Sequence, residues 1–427
     1  MGTFLKVYLI ATLLCCAVWG DHHHHDDEHH SGSKDHSHVH HKNEGHPHHE
    51  EGEMPCHTIS PANADFAFSL YNQLKSRPDA ESKNIFFSPL SISTALAMLS
   101  LGAKGETHAQ IFQALGFGNM TEKEVKEGFE HLLHMLKHNQ KEMQLEAGNA
   151  IVLSDGFKAS HQFLADAKHY FESEGFSVDF HNPEVAKKRI NDFIARKTHN
   201  KITDLVQDLD PSTLMVLLNY MFFRGKWEKP FDSKLTQKSD FHVNENKTVS
   251  VDMMKRTGRY GFYYDYQNFT SVLKLPYKGS ALMMIILPDE GKMEEVEGFI
   301  CKEHIRRWHD SLYRSSVDLY LPKFSASATY SLKEILTEMG IVHAFDNTAD
   351  FSGISEEVKL KVSKATHKAV LNVDEKGTEA AAAVHMDLMP MSLPQTMALN
   401  RPFILLILEK TTKSILFMGK ITDPTAQ

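Results

Sequence analysis

The sequence predicts an α+β fold built as one large domain. Amphipathic helical patterns dominate the first half of the chain, whereas short apolar strand patterns dominate the second half. The two kinds of pattern do not alternate strictly, as they do in a parallel α/β sheet. With 427 residues, 41% of them hydrophobic, the chain is long enough to bury a large core.

The first 20 residues have the composition of a secretory signal peptide. Lys6 precedes an apolar run from Val7 to Val18, and Gly20 supplies a small residue at the expected cleavage position. The run is too short to cross a bilayer, and no later run approaches the length of a membrane span. We therefore expect a secreted, extracellular protein with no membrane partner.

Residues 21–55 differ sharply in composition from the rest of the chain. They contain thirteen histidines, nine acidic residues and two lysines, which predicts a disordered segment. Its formal charge changes from −7 with neutral histidines to +6 when all are protonated. Three interpretations stay open: a solvated spacer, a pH-dependent contact with polyanions, or weak binding of Zn²⁺ or Cu²⁺ through His22, His23, His24 and His25. No other cofactor or metal is expected.

The helix and strand patterns between residue 59 and the C-terminus predict ordinary packing elements. Phe66, Leu70 and Leu74 fit one helix face. A second helix face is formed by Val125, Phe129, Leu132, Leu133 and Leu136. Strands are predicted over residues 214–223, 249–253, 271–275, 282–287, 317–321, 404–408 and 415–421.

Charge and motif content argue against several classes of function. Residues 56–427 carry a net charge of about −3 and no polybasic stripe, so nucleic-acid binding is not expected. The chain contains no Gly-x-Ser-x-Gly elbow, phosphate-binding loop, His-Glu-x-x-His pair or dinucleotide fingerprint, so an enzyme is not expected either. The pairs His131 with His134 and His304 with His309 are interpreted as structural residues of amphipathic helices.

Cysteines and glycosylation acceptors are few. Once the signal peptide is removed, Cys56 and Cys301 remain, and the sequence leaves open whether they pair. Acceptor sequences at Asn119, Asn246 and Asn268 agree with a secreted glycoprotein.

The stretch from Gly377 to Ser392 has the pattern of a strand that has not joined a sheet. Residues of an apolar face alternate along the chain with residues of a largely polar face. The side chains of the apolar face are small at the start of the stretch and larger towards its end. Pro390 and Pro394 hold the following segment extended, as a protease substrate must be. The run of alanines after Glu379 also favours a helix, so helix or linker remains the alternative on pattern alone. The apolar face consists of Thr378, Ala380, Ala382, Val384, Met386 and Leu388.

Several separated segments together resemble the serpin family. The resemblance covers about residues 56–427 and implies one domain of about nine helices around three β-sheets, with an exposed reactive loop at about residues 375–396. The segments are NIFFSPLSI (84–92), LNYMFFRGKWEKPF (218–231), VSKATHKAV (362–370), DEKGTEAA (374–381), RPFI (401–404) and FMGK (417–420).

The resemblance assigns roles to three groups of residues and no catalytic residue. It places the scissile bond between Met391 and Ser392. The loop hinge would consist of Glu375, Gly377, Thr378, Ala380 and Ala382, and Gly377 has the backbone freedom that a swinging loop needs. A hydrogen-bonded cluster beneath the opening sheet, the shutter, would consist of Ser88, Ser91, Asn219 and His367.

These roles imply a secreted suicide-substrate inhibitor of serine proteases. Methionine at position 391 suits elastase-like or chymotrypsin-like pockets and lacks the charge that a trypsin-like pocket binds. The protease would be trapped as an acyl-enzyme while Thr378 to Leu388 inserts into the main sheet. A monomer is implied, with loop–sheet polymers on misfolding.

Two other functions remain as alternatives. The first is a non-inhibitory carrier of small molecules or hormones, against which the small hinge residues argue. The second is a heparin-activated coagulation inhibitor, which is disfavoured because residues 121–143 have mixed charges and position 391 is not arginine.

Overall fold

The computed structural model describes residues 54–78, 80–138, 143–156, 158–376 and 393–426. The predicted signal peptide, the histidine-rich segment up to residue 53 and the loop residues 377–392 lie outside the described residues. Within the described ranges, no helix is both long and apolar enough to cross a membrane.

Nine α-helices form within the part of the chain that the structure describes. Two of them begin at a serine whose side chain accepts a hydrogen bond from a backbone N–H of the first turn: Ser88 caps the second helix and Ser160 the fifth. The helices are α1 (Pro55–Lys75), α2 (Pro89–Ser100), α3 (Gly105–Ala114), α4 (Glu122–His138), α5 (His161–Phe171), α6 (Pro183–Lys197), α7 (Met293–Phe299), α8 (Lys302–Ser311) and α9 (Leu332–Glu338).

The described residues also form fourteen β-strands and two short 3₁₀ helices, Ser233–Leu235 and His343–Phe345. The strands are β1 (Ile85–Phe87), β2 (Met143–Ser154), β3 (Glu174–Val178), β4 (Met215–Gly225), β5 (Gln237–Asn244), β6 (Lys247–Asp265), β7 (Thr270–Pro276), β8 (Ala281–Pro288), β9 (Tyr313–Pro322), β10 (Phe324–Ser331), β11 (Lys364–Val373), β12 (Gln395–Ala398), β13 (Phe403–Glu409) and β14 (Ile415–Ile421).

The strands assemble into a five-stranded and a nine-stranded sheet. The smaller sheet has the order β10-β11-β4-β2-β3, and the larger has the order β1-β14-β13-β8-β7-β6-β9-β12 with β5 paired to β6. Strand β6 is 19 residues long and pairs with β5, β9 and β7 along successive parts of its length. Because β6 is continuous, two of the three expected sheets are joined by hydrogen bonds into one.

The centre of the five-stranded sheet has an unusual pairing. Strand β11 runs antiparallel to β10, and β4 runs antiparallel to β2, but β4 and β11 lie side by side in parallel. Parallel pairs are slightly less stable per residue than antiparallel pairs. The central β4–β11 ladder is therefore weaker per residue than the antiparallel ladders on either side of it.

Two apolar clusters hold the layers together. Helix α2 is buried along its whole length from Pro89 to Ser100 and belongs to the larger cluster, which also includes the inner residues of β13 and β14. The smaller cluster covers the other face of the five-stranded sheet, where Ile190 and Ile194 of α6 pack with Val216 and Leu218 of β4. The five-stranded sheet is thus covered on both faces.

The α+β class is confirmed, and every predicted strand overlaps an observed one. The predicted helix faces in α1 and α4 are also confirmed as buried, except that Leu133 is only half-buried. Seven strands were not predicted: β1, β2, β3, β5, β10, β11 and β12. Among them, β10 is rich in small polar residues, and β11 carries lysines among its apolar residues. Their pairing partners, rather than their own hydrophobicity, place them in the sheet.

Candidate functional site

A line of polar side chains crosses the weak centre of the five-stranded sheet. Asn149 of β2 is directly opposite Asn219 of β4, Asn219 is opposite His367 of β11, and His367 is opposite Tyr330 of β10. Directly opposite residues of neighbouring strands project from the same face of a sheet. The strand registers therefore put four polar residues side by side on the face that α2 covers.

The start of α2 supplies hydrogen-bond partners for this line. The Asn219 side-chain amide lies 2.8 Å from the Ser91 carbonyl oxygen, 2.6 Å from Ser91 Oγ and 2.6 Å from Asn149 Oδ1. Ser88 Oγ accepts from the Ser91 N–H at 3.2 Å and donates to the Leu416 carbonyl oxygen at 2.7 Å. The cluster thus ties α2 to β2, β4 and β14.

His367 is the residue that joins β11 to the cluster, and its partners fix its protonation state. The Ser88 backbone N–H donates to Nε2 at 3.0 Å, so Nε2 carries no proton. Nδ1 then donates to Asn219 Oδ1. His367 is completely buried, and this burial lowers the pKa of its imidazole to about 3. The ring is therefore neutral, and protonation would set a new N–H against the Ser88 N–H.

The buried neutral His367 predicts a loss of stability in acid. Its pKa is about 3 in the folded protein and about 6.5 in the unfolded chain. The unfolded state therefore binds a proton first as the pH falls below about 6.5. The free energy of unfolding is unaffected by this group above that pH, and should drop by about 2 kcal/mol between about pH 7 and pH 5. Urea denaturation across this range measures the slope.

The non-titrating variant His367→Gln should be less stable near neutral pH but should lack this part of the pH dependence, so its deficit against the native protein should shrink in acid. His161→Gln, at an exposed histidine, is the matched control and should keep the native slope. Parallel pH curves for the native protein and His367→Gln would contradict the assignment.

The opposite face of the same strands is crossed by the chain that follows α6. Lys364 Nζ donates to the Asp208 carbonyl oxygen at 2.7 Å, and Lys368 Nζ pairs with Asp204 at 2.7 Å. Both lysines belong to β11, whereas the buried Ile202 and Leu205 of the crossing segment pack in the cluster over β4. Separation of β4 from β11 would therefore also disturb this segment.

The chain leaving β11 is held by a buried aromatic pair before it reaches the loop. Trp227 Nε1 donates to the Asp374 carbonyl oxygen at 2.8 Å, and the Phe231 N–H donates to the Glu375 carbonyl oxygen at 2.8 Å. The Trp227 ring is buried and stacked on Tyr277, with centroids 4.2 Å apart and planes 12° apart. The loop root is thus fixed to the nine-stranded sheet.

The Glu375 side chain adds a charged anchor at the same place. Its carboxylate pairs with Lys323 Nζ at 3.0 Å and accepts from Thr236 Oγ1 at 2.8 Å. Burial acts to raise the pKa of Glu375, but hydrogen bonds from its own backbone N–H, Lys323 and Thr236 outweigh burial and lower that pKa below its usual value. The carboxylate is therefore ionised, and it joins β11 to the strands beside it.

We expect Glu375→Gln and Lys323→Met each to destabilise the protein, because each removes one partner of a half-buried ion pair. A double-mutant cycle on the free energy of unfolding should give a coupling of roughly 1 kcal/mol between the two residues. The coupling should weaken in high salt. Additive effects of the two changes would mean that the pair contributes nothing beyond its separate hydrogen bonds.

The structure brings Ser88, Ser91, Asn219 and His367 together, and it places Glu375 at the loop root. It also adds Asn149 and Tyr330, which sequence reasoning missed because neither β2 nor β10 was predicted. The other residues of the predicted hinge and the predicted scissile bond lie outside the described residues: Gly377, Thr378, Ala380, Ala382, Met391 and Ser392.

The remaining residues singled out in the sequence are scattered. Cys56 and Cys301 are both free thiols, so they do not pair. Asn119 and Asn246 are exposed in turns, whereas Asn268 is half-buried and its side-chain amide donates to Asp265 at 2.6 Å.

The four helix histidines occupy two separate helices, with His131 and His134 in α4 and His304 and His309 in α8. His304 Nδ1 lies 3.1 Å from Cys301 Sγ. Across the described ranges, no group of three or more metal-ligating side chains is arranged to hold an ion.

Comparison with known proteins gives a consistent result. Residues 61–424 match the model of the family described as Serpin (serine protease inhibitor). An alpha-1-antitrypsin homolog of Cyprinus carpio is 57% identical over 340 residues, which are 80% of this chain and 91% of that protein.

Two solved structures are also similar to the whole folded part of the chain. Human thyroxine-binding globulin, in complex with thyroxine, has a TM-score of 0.82 and 43% identity, covering 87% of this chain and 100% of that one. The mouse protein-Z dependent protease inhibitor has a TM-score of 0.80 and 30% identity, covering 87% of this chain and 98% of that one.

Proposed function

The chain belongs to the serpin family, and we propose that it is a secreted suicide-substrate inhibitor of serine proteases with elastase-like or chymotrypsin-like specificity. It is not an enzyme, since the relatives it matches are named as an antitrypsin homolog and as an antiproteinase. The observation that carries the proposal is the parallel pair β4–β11, from whose end the candidate loop emerges. In this proposal residues 1–20 are removed on secretion and residues 56–427 form the inhibitory domain.

The parallel pair gives the loop a place to insert. The ladder runs from Lys364 opposite Val216 to Leu371 opposite Phe223. A segment that follows β11 and turns back runs antiparallel to β11, and hence also to β4. Its insertion between them would replace one parallel ladder with two antiparallel ladders, which have better hydrogen-bond geometry.

The length and side chains of the candidate strand suit that place. Thr378 to Leu388 is as long as β4, which has 11 residues, and close to β11, which has 10. Residues that enter first are small, so they can pass over the packed core without forcing it apart. The match in length supports insertion along the whole sheet.

The polar cluster at the weak ladder would act as the shutter of this opening. Separating β4 from β11 breaks the hydrogen bond between His367 and Asn219. Each partner keeps a contact to α2, because Ser88 holds His367 and Ser91 holds Asn219. Buried polar groups that keep a partner cost less to separate than groups left unpaired. The cluster therefore holds the sheet closed without blocking its opening.

The active site of the protease carries out the covalent steps before the loop moves. The protease serine Oγ attacks the Met391 carbonyl carbon, an ester forms, and the peptide bond to Ser392 breaks as the Ser392 nitrogen leaves with a proton. Insertion of residues 378–388 then carries the acylated protease away from the loop's original position. Hydrolysis of the ester fails when this movement disrupts the protease active site.

The experiment that tests the proposal mixes the purified protein separately with neutrophil elastase, chymotrypsin and trypsin. We expect complexes that survive boiling in detergent with the first two proteases, joined at Met391 by mass spectrometry, and none with trypsin. Cleavage at Met391 without a stable complex would contradict the proposed inhibition and would mean that the loop is only a substrate.

A charge on the entering face should convert the inhibitor into a substrate. Thr378→Arg places a cation where the first inserted side chain meets the apolar core, and its desolvation slows insertion. We expect cleavage at Met391 to continue while the boiling-stable complex is lost. Glu379→Arg, on the other face of the same strand, is the matched control and should still form the complex.

A second function, binding of a small anionic molecule, is favoured by one cluster of cations. Lys274, Lys410 and Lys413 lie close together. Burial, then the charges of Lys413 and Lys410, lower the pKa of Lys274. Nε2 of His309 is buried there without a hydrogen-bond partner among the described residues. Burial is the main cause that lowers the pKa of His309, and the charges of Lys413 and Lys274 lower it further. Asp310 acts in the opposite direction.

Lys274 and Lys410 are half-buried and Lys413 is exposed, and neighbouring cations that repel one another attract a carboxylate. The likeness to thyroxine-binding globulin suggests thyroxine as the probe. Saturable quenching of the fluorescence of the neighbouring Trp308 would support binding, and Lys413→Glu should weaken it by about tenfold or more. Lys201→Glu, at an exposed lysine, is the control. Absence of saturable binding would assign the cluster a structural role only.

A further inference from the structure

We propose that the solvent-facing side of strands β12, β9 and β6 is a docking face that binds an acidic surface of the target protease beside its active-site cleft. The inference rests on the proposed function, because it concerns which proteases reach the scissile bond. It does not depend on loop insertion.

The docking face follows directly from the strand registers. In β12 and β9, Thr396 is opposite Asp318 and Ala398 is opposite Tyr320. The alternate residues Met397, Val317 and Leu319 are buried. Because successive side chains point to opposite faces of a sheet, the first set points to solvent.

Strand β6 extends the same face with positive charge. Lys255 is opposite Tyr320, Arg259 is opposite Ser316, and Gly261 is opposite Arg314. The Lys255 ammonium lies 5.2 Å from the centroid of the Tyr320 ring. Three cations therefore share the docking face with one carboxylate, that of Asp318, which accepts a hydrogen bond from the Thr257 hydroxyl.

Arg259 and Arg314 are the centre of this positive charge. They occupy diagonal positions on neighbouring strands, about 7–8 Å apart between backbones. Both side chains are exposed, and neither forms an ion pair with a residue that the structure describes. Arg77 and Arg307, by contrast, pair with carboxylates. Two adjacent guanidinium groups without partners repel each other, and an anionic partner would remove this repulsion.

The position of the docking face selects the protease as the partner. Strand β12 begins at Gln395, three residues after Ser392, and Leu393 between them is 95% exposed. Neighbouring strands are about 4.8 Å apart, so β6 lies about 10 Å from β12. A standard interface covers about 800 Å² of each partner, or a patch roughly 16 Å in radius. A protease bound at the scissile bond therefore covers Arg314 and reaches Arg259.

Cations at the rim of an interface mainly increase the association rate. The docking face would therefore favour elastase-like or chymotrypsin-like proteases with acidic residues around the cleft, and would slow association with proteases that are basic there. Met391 would determine where the loop is cleaved, and the docking face would determine which proteases associate fastest.

The test measures docking of inactive forms of neutrophil elastase and chymotrypsin, each with its catalytic serine replaced by alanine, so that neither acylation nor insertion contributes. We expect the double variant Arg259→Glu/Arg314→Glu to lower the association rate constant with at least one protease by about tenfold or more at about 50 mM NaCl. The difference should nearly disappear at about 1 M NaCl.

Arg189→Glu/Arg196→Glu is the matched control, because these α6 arginines are also exposed and the change in net charge is the same. It should leave both rates close to those of the native protein. A double Arg→Gln variant at positions 259 and 314 checks that loss of positive charge, rather than new repulsion, lowers the rate. Unchanged urea midpoints confirm that the variants fold.

The docking face would be overturned by no docking of either inactive protease, by equal rates for the native protein and the Arg259/Arg314 variants, or by equal losses in the control. Loss of retention on a heparin column with unchanged protease docking would also overturn it and assign the face to a polyanion. Salt-dependent docking that the variants lose, without a boiling-stable complex with active protease, would support the docking face and overturn only the trapping mechanism.

Discussion

The hydrogen bond between His367 and Asn219 is the contact on which the arrangement of the five-stranded sheet depends. It spans the one central parallel ladder among the described strands, and Ser88 and Ser91 connect its two ends to the fully buried helix α2. Because both imidazole nitrogens are used in the neutral form, the geometry leaves no room for a proton. Burial and hydrogen bonding thus act together to keep the ring neutral and β11 in place.

In the proposed inhibitory mechanism, this contact spans the ladder that has to open. A parallel ladder is slightly weaker than an antiparallel one, and the chain carries, directly after β11, a segment whose pattern and length suit the space between β4 and β11. In the proposed mechanism, the polar cluster and the contacts that hold Asp374 and Glu375 oppose the rearrangement.

The restraint at the loop root works at the other end of β11. Trp227 holds the backbone of Asp374, and Lys323 and Thr236 hold the carboxylate of Glu375. These contacts join the five-stranded sheet to the nine-stranded sheet, in which Lys323 directly follows β9, the neighbour of the edge strand β12. The larger sheet thus contacts the chain on both sides of residues 377–392, at Glu375 and at β12.

The sequence alone determined the fold class, most of the apolar strands and the alternation of residues 377–392, because each of these depends on local periodicity. The quoted motifs also identified Ser88, Ser91, Asn219, His367 and Glu375. Local pattern could not identify Asn149 or Tyr330, since β2 and β10 carry no strong apolar alternation of their own. The tertiary structure alone decided that Asn219 and His367, 148 residues apart, lie in one register. It also placed Arg259 diagonally beside Arg314. Periodicity shows which face of a strand is buried, but only the pairing of distant strands decides which side chains meet there.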